Sequence, residues 1–149
     1  VGAVGGKEEI MKTKGVFYGG TFSANPLSMY AASLILETIV TGNHIQYDVL
    51  QETGDLFRAK INDFFSSENK KMRAIGCGPL NRIIFTDHFI KNRKERDHFE
   101  PAGAQEHFSS ELKKLGVFVN GNGLYHFSMS HTPEVVEQII DTIKAASNK

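Results

Sequence analysis

The sequence predicts an α+β fold in which helices pack on one face of a small sheet, and three observations support this. Apolar residues recur at helical spacing over 27–40 and again over 45–65. After position 66, short apolar segments alternate with glycine-containing turns, as in short strands. A last amphipathic helix follows Thr132-Pro133, with an apolar stripe from Val135 to Ile143. These elements can bury a shared core between a helical layer and a sheet.

The two strongest local signals are helix starts. Asn25 and Thr132 can each cap free helix amides, and the proline after each suits the first helical position because it lacks an N–H. The helix after Asn25 is apolar nearly all round, so it is expected to be buried on more than one side. The phenylalanines expected in the core are Phe57, Phe64, Phe65, Phe108 and Phe127.

Shorter elements are predicted between these helices. Lys7–Lys12 is predicted to form one helical turn, Lys91–Asp97 a charged loop, and Ala102–Leu115 a helix that ends at Gly116. The predicted extended segments are 1–4, 16–18, 72–75, 81–86, 117–119 and 124–129. The last two are expected to be joined at residues 120–123 as a hairpin. Because Val1 to Val4 look like the inside of a strand, the chain is expected to be a fragment or a processed product, with a trimmed ordinary terminus as the alternative.

Composition and charge exclude several classes of function. The 149 residues are 40% hydrophobic and 23% charged, which is enough for a core. Seventeen basic residues balance 17 acidic ones, and this neutrality argues against a nucleic-acid-binding or membrane-surface protein. No apolar segment is long enough to span a bilayer. The single cysteine, Cys77, excludes an internal disulfide framework and fits a cytoplasmic location.

The stretch from Tyr18 to Pro26 carries the most chemical information. Gly19 and Gly20 allow a backbone to approach a ligand, and Thr21 adds a hydroxyl and an amide beside the start of a helix. Amides, a hydroxyl and the positive pole of a helix together suit a phosphate group. A strand-to-helix turn rich in capping residues would produce the same pattern, so both readings stay open at this point.

Three motifs resemble one family. Residues 20–27 resemble the Gly-Thr-(Phe/Leu)-Ser-(Gly/Ala)-Asn-Pro-(Leu/Met) segment of class III aminotransferases. The resemblance is greatest to the group that contains the glutamate-1-semialdehyde aminomutases. Residues 1–11 resemble the family's Val-Gly-Ala-x-Gly-Gly-(Arg/Lys) segment, and Ser128–Thr132 resembles its C-terminal Ser-x-Ala-His-Thr. The resemblance therefore covers nearly the whole chain.

This resemblance implies a pyridoxal-phosphate-dependent aminotransferase or aminomutase of fold type I. Residues 1–40 would form the edge of the cofactor-binding large domain and a connecting helix, and residues 41–149 the small C-terminal domain. Thr21, together with the amide near Gly20, would bind the cofactor phosphate of the neighbouring subunit in a homodimer. The substrate would be a small amino acid or amino-aldehyde, and the small domain would cover it.

The resemblance also implies what this chain lacks. The Schiff-base lysine would lie upstream of Val1, and Lys7 matches only a non-catalytic position, so no catalytic residue is assigned and the chain alone is expected to be inactive. The acidic residue that the aminomutases carry before their last strand has no counterpart in residues 120–124. This puts the mutase reaction in doubt and leaves transamination open. The alternative is a non-catalytic α+β module for binding or assembly.

Two weaker signals favour ordinary surface roles. His126 and His131 lie close together, but no third ligand is evident, so no metal site is predicted. The basic residues from Lys91 to Arg96 are interrupted by Glu95 and have no interleaved aromatic residues, which favours a solvated segment over a nucleic-acid site.

Overall fold

The computed structural model describes residues 2, 4–15, 19–42, 47–120 and 123–148. The chain divides into two compact units, residues 1–45 and residues 46–149. The second unit combines helices with a three-stranded antiparallel sheet, which confirms the predicted α+β fold.

The first unit contains two helices, α1 (Glu8–Met11) and α2 (Pro26–Thr41). The helical turn predicted over Lys7–Lys12 is confirmed. Gly2 and Val4 are not in a strand, while positions 1, 3 and 16–18 of the predicted extended segments lie outside the described residues. The expected burial of α2 is wrong for this chain: none of its residues is buried, because no other long element of the described unit covers it.

The second unit starts with α3 (Tyr47–Ser67), followed by the antiparallel strands β1 (Arg73–Cys77) and β2 (Leu80–Ile84). Cys77 pairs with Leu80, so Gly78 and Pro79 form a two-residue turn. Gly78 has a φ of 52°, and proline fixes a negative φ at the next position, as in a type II′ turn. The strand β3 (Leu124–His126) pairs with β2 on the other side.

The segment predicted as a charged loop is instead largely helical. Helix α4 spans Arg93–Phe99, and the side chain of Asn92 caps it by accepting a hydrogen bond from the Glu95 amide at 3.0 Å. Ion pairs between Arg93 or Arg96 and Asp97 lie along this exposed helix. Because the helix buries no residue, its sequence shows no apolar periodicity that could have indicated it.

The predicted hairpin joining 117–119 to 124–129 is also wrong. Helix α5 (Ala104–Lys114) ends in a Schellman motif: Val117 N donates to Leu112 O at 2.9 Å and Gly116 N to Lys113 O at 3.1 Å. Gly116 adopts the left-handed conformation that this motif requires, with a φ of 89°. The Val117 amide is therefore used by the helix end, and β3 pairs with β2 instead.

The core lies between the sheet and the helices α3, α5 and α6 (Pro133–Ala146). Its central side chains are fully inaccessible to solvent: Phe57, Ile61, Ile83, Leu112, Ile140 and Ile143. Four of the five predicted core phenylalanines are buried, and the fifth, Phe64, is partly buried against the same cluster. Among the described residues, no helix has both the length and the apolarity needed to cross a bilayer.

Helix α3 is held closely against the turn between β1 and β2. Gly54 has no side chain at the contact, and a Cβ there would lie 1.8 Å from Gly78 O. Arg58 of the same helix donates a hydrogen bond to Gly78 O at 3.0 Å and another to the buried Asn81 side chain. The sequence of α3 therefore combines a glycine for close approach with a cation that binds the turn.

The outer edge of β1 is covered by a side chain of α3. Asn62 Nδ2 donates to Ala74 O at 3.0 Å, and Ala74 N donates to Asn62 Oδ1 at 2.7 Å. One amide side chain thus satisfies both outward backbone groups of the residue at the second position of this edge strand.

Candidate functional site

The loop before α2 folds into two consecutive turns. Ser23 N donates to Gly20 O at 2.9 Å, and Asn25 N donates to Phe22 O at 3.3 Å. These bonds bring the residues between Gly20 and Asn25 round to the beginning of the helix. The loop is therefore compact although its side chains are exposed.

The helix starts as its sequence predicts. Asn25 Oδ1 accepts a hydrogen bond from Ser28 N at 3.2 Å, and Pro26 occupies the first turn. The residue before the cap, Ala24, has a φ of 56°, in the left-handed region that glycine adopts at lower energy. The resembling motif permits glycine or alanine at this position, and the observed conformation gives a physical reason for the glycine.

The turns enclose an open pocket of about 470 Å³ at the beginning of α2. Both predicted site residues, Gly20 and Thr21, line it and are exposed. Among the described residues, the hydroxyl and the backbone amide of Thr21 have no hydrogen-bond partner. The pocket therefore presents unused donors beside the positive end of a 16-residue helix.

The lining residues fit a phosphate group but not a complete cofactor. Phosphate oxygens accept hydrogen bonds from amides and hydroxyls, and none of the described residues that line the pocket is acidic and would repel them. The same lining has no lysine to bind an aldehyde and no aspartate to pair with a pyridine nitrogen. The described lining can therefore hold a phosphate group but supplies neither of these two residues.

Two lining residues were not identified from the sequence. Ser23 and Ser28 both border the pocket, and Ser28 lies in the first turn of α2. Their positions relative to the helix start contain the signal, since residues of the loop and the first turn lie around the same helix end.

Lys7, which the resemblance places at a non-catalytic position, precedes the turns between Gly20 and Asn25 in the sequence. Lys7 is exposed and precedes α1, and its carbonyl accepts hydrogen bonds from the amides of Ile10 and Met11. It is not among the residues that line the pocket of Gly20 and Thr21.

The C-terminal motif forms a structural turn before α6. Ser128 N donates to His131 Nδ1 at 3.0 Å, and Thr132 caps the helix. A hydrogen bond from the Thr132 hydroxyl lowers the pKa of the Glu134 carboxyl, and a hydrogen bond from the backbone amide of Glu134 lowers it further. Within the described part of the chain, no group of three or more His, Cys, Asp or Glu residues could hold a metal.

Among the described residues of the second unit, Tyr125 is the titratable residue whose pKa is shifted by burial alone. Desolvation raises the pKa of the Tyr125 phenol, because the ionised form is disfavoured away from water. The ring packs against Phe57, with the two centroids 5.7 Å apart. This residue therefore belongs to the core.

Comparison with known sequences finds relatives over almost the whole chain. A glutamate-1-semialdehyde 2,1-aminomutase 2 from Lachnoclostridium phytofermentans is 28% identical over 97% of this chain and 35% of its own length. Its namesake from Staphylococcus saprophyticus is 30% identical over 100% of this chain and 35% of its own length. The chain thus spans about a third of the length of these relatives. No family model matches the chain.

Solved structures share the fold. An omega-transaminase from Sphaerobacter thermophilus superposes with a TM-score of 0.79 at 22% identity, over 97% of this chain and 34% of that protein. A beta-phenylalanine aminotransferase from Variovorax paradoxus gives a TM-score of 0.80 at 19% identity, over 95% and 33%. These similarities confirm the predicted fold, and the sequence relatives confirm the resemblance seen in the motifs.

Proposed function

We propose a function from the premise that this chain is the C-terminal part of a class III pyridoxal-phosphate aminotransferase of the glutamate-1-semialdehyde aminomutase-like group. The whole protein would be an aminotransferase or aminomutase that acts on a small amino acid or amino-aldehyde. The observation that carries this proposal is sequence similarity to aminomutases over nearly the entire chain. Pyridoxal phosphate, when bound, supplies an electron-accepting ring for amino-group chemistry.

In this proposal the pocket before α2 binds the cofactor phosphate. The Thr21 hydroxyl and amide, with the amide near Gly20, would donate hydrogen bonds to phosphate oxygens, and the positive end of α2 would favour their charge. The exposure of these donors supports the role, because they are accessible to a group outside this chain. The phosphate would belong to the neighbouring subunit of a homodimer.

The second unit would cover the substrate and exclude water from it. The lysine that binds the cofactor covalently would be supplied outside this chain, so the chain alone would not catalyse transamination. Residues 120, 123 and 124, the described residues that lead into and begin β3, carry no carboxylate, which puts the mutase reaction in doubt and leaves transamination open.

Substitution of Thr21 in the whole protein tests the phosphate role. Thr21→Val should weaken retention of pyridoxal phosphate about 10- to 100-fold, the effect of losing a hydrogen bond to a charged group. Thr21→Ser should retain the cofactor because it keeps the hydroxyl. Thr13→Val is the matched control, since among the described residues the Thr13 hydroxyl bonds the Glu9 carbonyl alone. Unchanged cofactor affinity in Thr21→Val would contradict the proposal.

Borohydride reduction of the 149-residue chain tests the absence of a covalent site. With pyridoxal phosphate present, peptide mass mapping should find no single lysine labelled in preference to the others. Stoichiometric labelling of one lysine, Lys7 included, would show that the covalent site lies within this chain.

A further inference from the structure

The second unit contains an open pocket that the proposed function does not use. It has a volume of about 490 Å³ and lies between the segment that leads into β1, the segment that follows β2, and the residues from the end of α4 to the start of α5. Its apolar side chains are those of Met72, Phe85, Phe99, Pro101 and Ala104. Pockets of this size, lined by apolar and aromatic side chains with a few polar groups, are typical binding sites for small molecules.

One wall of the pocket, the aromatic wall, consists of His88 and Phe99. Their rings are stacked, with the centroids 4.2 Å apart and the planes at 21° to each other. The backbone of His88 is held on both sides, because its amide donates to Thr86 Oγ1 at 3.1 Å and its carbonyl accepts from Arg73 Nη2 at 2.8 Å. The protein itself therefore fixes this wall, and a ligand does not have to order it.

The floor of the pocket is a third aromatic side chain. Phe85 packs edge to face against the buried Phe108, with the ring centroids 5.4 Å apart. Phe85 and Met72 are only partly buried by the core, and both line the pocket. Ring edges and thioether sulfur atoms make favourable contacts with aromatic groups. The lining therefore suits an aromatic ligand better than a saturated one.

The charges at the rim favour an anionic group on that ligand. Lys70 and Lys71 line the pocket together with a single carboxylate, that of Asp87, so positive charge is in excess among the described lining residues. In the described part of the chain, neither lysine forms an ion pair with Asp87 or with another carboxylate. Lys70 Nζ donates to Ser147 O at 2.8 Å, which leaves its other N–H groups for a further acceptor.

We propose that this pocket binds a small aromatic carboxylate. The ring packs between Phe85 and the aromatic wall, and the carboxylate lies toward the ammonium groups of Lys70 and Lys71. An uncharged aromatic compound would leave both lysines without an ionic partner, and an aliphatic carboxylate would lose the contacts between rings. The site goes beyond the proposed function, because none of the described residues that line it lines the proposed phosphate pocket.

Titration of the 149-residue chain, followed by amide NMR, tests the proposal without any substitution. Naphthalene-2-carboxylate and phenylacetate are the probes, and at least one should bind, with shifts concentrated at residues 70–72, 85–88 and 99–104. The amide of each acid keeps the ring but loses the charge, and the ring-saturated acid keeps the charge but loses the aromatic ring. Each of these analogues should bind about threefold to tenfold more weakly than the parent acid.

Matched substitutions locate the binding. Phe99→Leu removes one ring of the aromatic wall and should weaken the acid about threefold to tenfold. Phe118→Leu, at an exposed phenylalanine outside this pocket, should leave the affinity within about twofold. Lys71→Gln should weaken the acid about threefold but leave the affinity for its amide unchanged. Lys94→Gln removes the same charge from an exposed residue outside the pocket and is the control. Circular dichroism establishes that each variant is folded.

Three results would overturn the proposal: no binding by either acid, amide shifts confined to the exposed apolar residues of α2, or an acid that binds no more tightly than its amide or its saturated counterpart. Equal effects of each substitution and its matched control would overturn it as well. These outcomes leave the cofactor-phosphate role untouched, because neither Thr21 nor the cofactor takes part in the titration. Failure of this site and failure of the proposed function are therefore distinguishable.

Discussion

Helices α2 and α6 begin with the same capping pattern but differ in how far their residues are buried. Each has a side-chain cap followed by proline, and they are 16 and 14 residues long. Helix α6 buries Val136, Ile140, Ile143 and Ala146, whereas α2 buries no residue. The comparison teaches that capping chemistry specifies where a helix begins, while burial depends on what the rest of the chain places against it.

The apolar surface of α2 also differs in its distribution. Large apolar side chains are exposed along its whole length, from Leu27 at 78% to Val40 at 84%. Helix α6 instead keeps its apolar residues in one stripe that faces the core. The first pattern is typical of a helix covered on several sides, and no other described helix or strand of the first unit covers α2.

The largest expected difference comes from the same substitution in both helices. Ile140→Ala should lower the free energy of unfolding by about 2–5 kcal/mol, because it opens a cavity in a fully buried cluster. Ile35→Ala, at a residue that is 53% exposed, should change it by less than about 0.5 kcal/mol. Urea unfolding followed by circular dichroism measures both. Equal losses would mean that α2 is packed as tightly as α6 in solution.

The next largest difference is expected between glycine-to-alanine substitutions at Gly54 and at Gly5. Gly54→Ala should destabilise the second unit by about 1–3 kcal/mol, because the new methyl group would overlap the Gly78 carbonyl and separate α3 from the turn. Gly5→Ala in the first unit meets no atom within 4 Å and should leave the urea midpoint unchanged. If Gly54→Ala were neutral, the close approach of α3 to the turn would be wrong.

Removal of the two helix caps should again affect the two units differently. Thr132→Ala should lower the unfolding free energy of the second unit by about 1 kcal/mol. Asn25→Ala should reduce the helical content of the first unit while leaving the unfolding midpoint of the second unit in place. Thr132→Ser and Asn25→Ser keep the cap oxygen and serve as controls. A midpoint shift in Asn25→Ala would show that the stability of the two units is coupled.

The smallest effect concerns pH and the exposed Glu134. Its pKa is lowered in the folded chain, mainly by the Thr132 hydroxyl, so the carboxylate adds stability above its unfolded pKa and loses it as pH falls through the folded pKa. The stability advantage of the wild type over Glu134→Gln should therefore be present at neutral pH and disappear in acid. In a Thr132→Ala background the same comparison should show a reduced pH dependence, measured by thermal unfolding across this range.

Elements with local signals were predictable from the sequence. The caps at Asn25 and Thr132 and the core phenylalanines of α3 were identified because each depends on neighbouring residues or on helical periodicity. Helix α4 was missed because it has a polar cap and ion pairs but no buried stripe. The strand predicted at 117–119 failed because a backbone amide can be used by a helix end as well as by a sheet.

For the candidate site, the sequence predicted Gly20 and Thr21 but did not indicate the two-turn path that places Ser23 and Ser28 around the same pocket. The buried ion pair between Arg82 and Glu100 had no sequence signal, because the two residues come together only when β2 and the end of α4 are folded. Tertiary placement of this kind leaves no local pattern in a single sequence.

The two hydrogen bonds between the Asn62 side chain and the Ala74 backbone bear on the aggregation of this molecule at high concentration. An uncovered strand edge can recruit a strand from another molecule and start lateral growth of a shared sheet. Here a helix side chain already occupies the donor and acceptor that such a strand would need at that position. The Asn62 side-chain amide thus opposes the addition of another molecule's strand to β1 at Ala74, and with it sheet polymerisation.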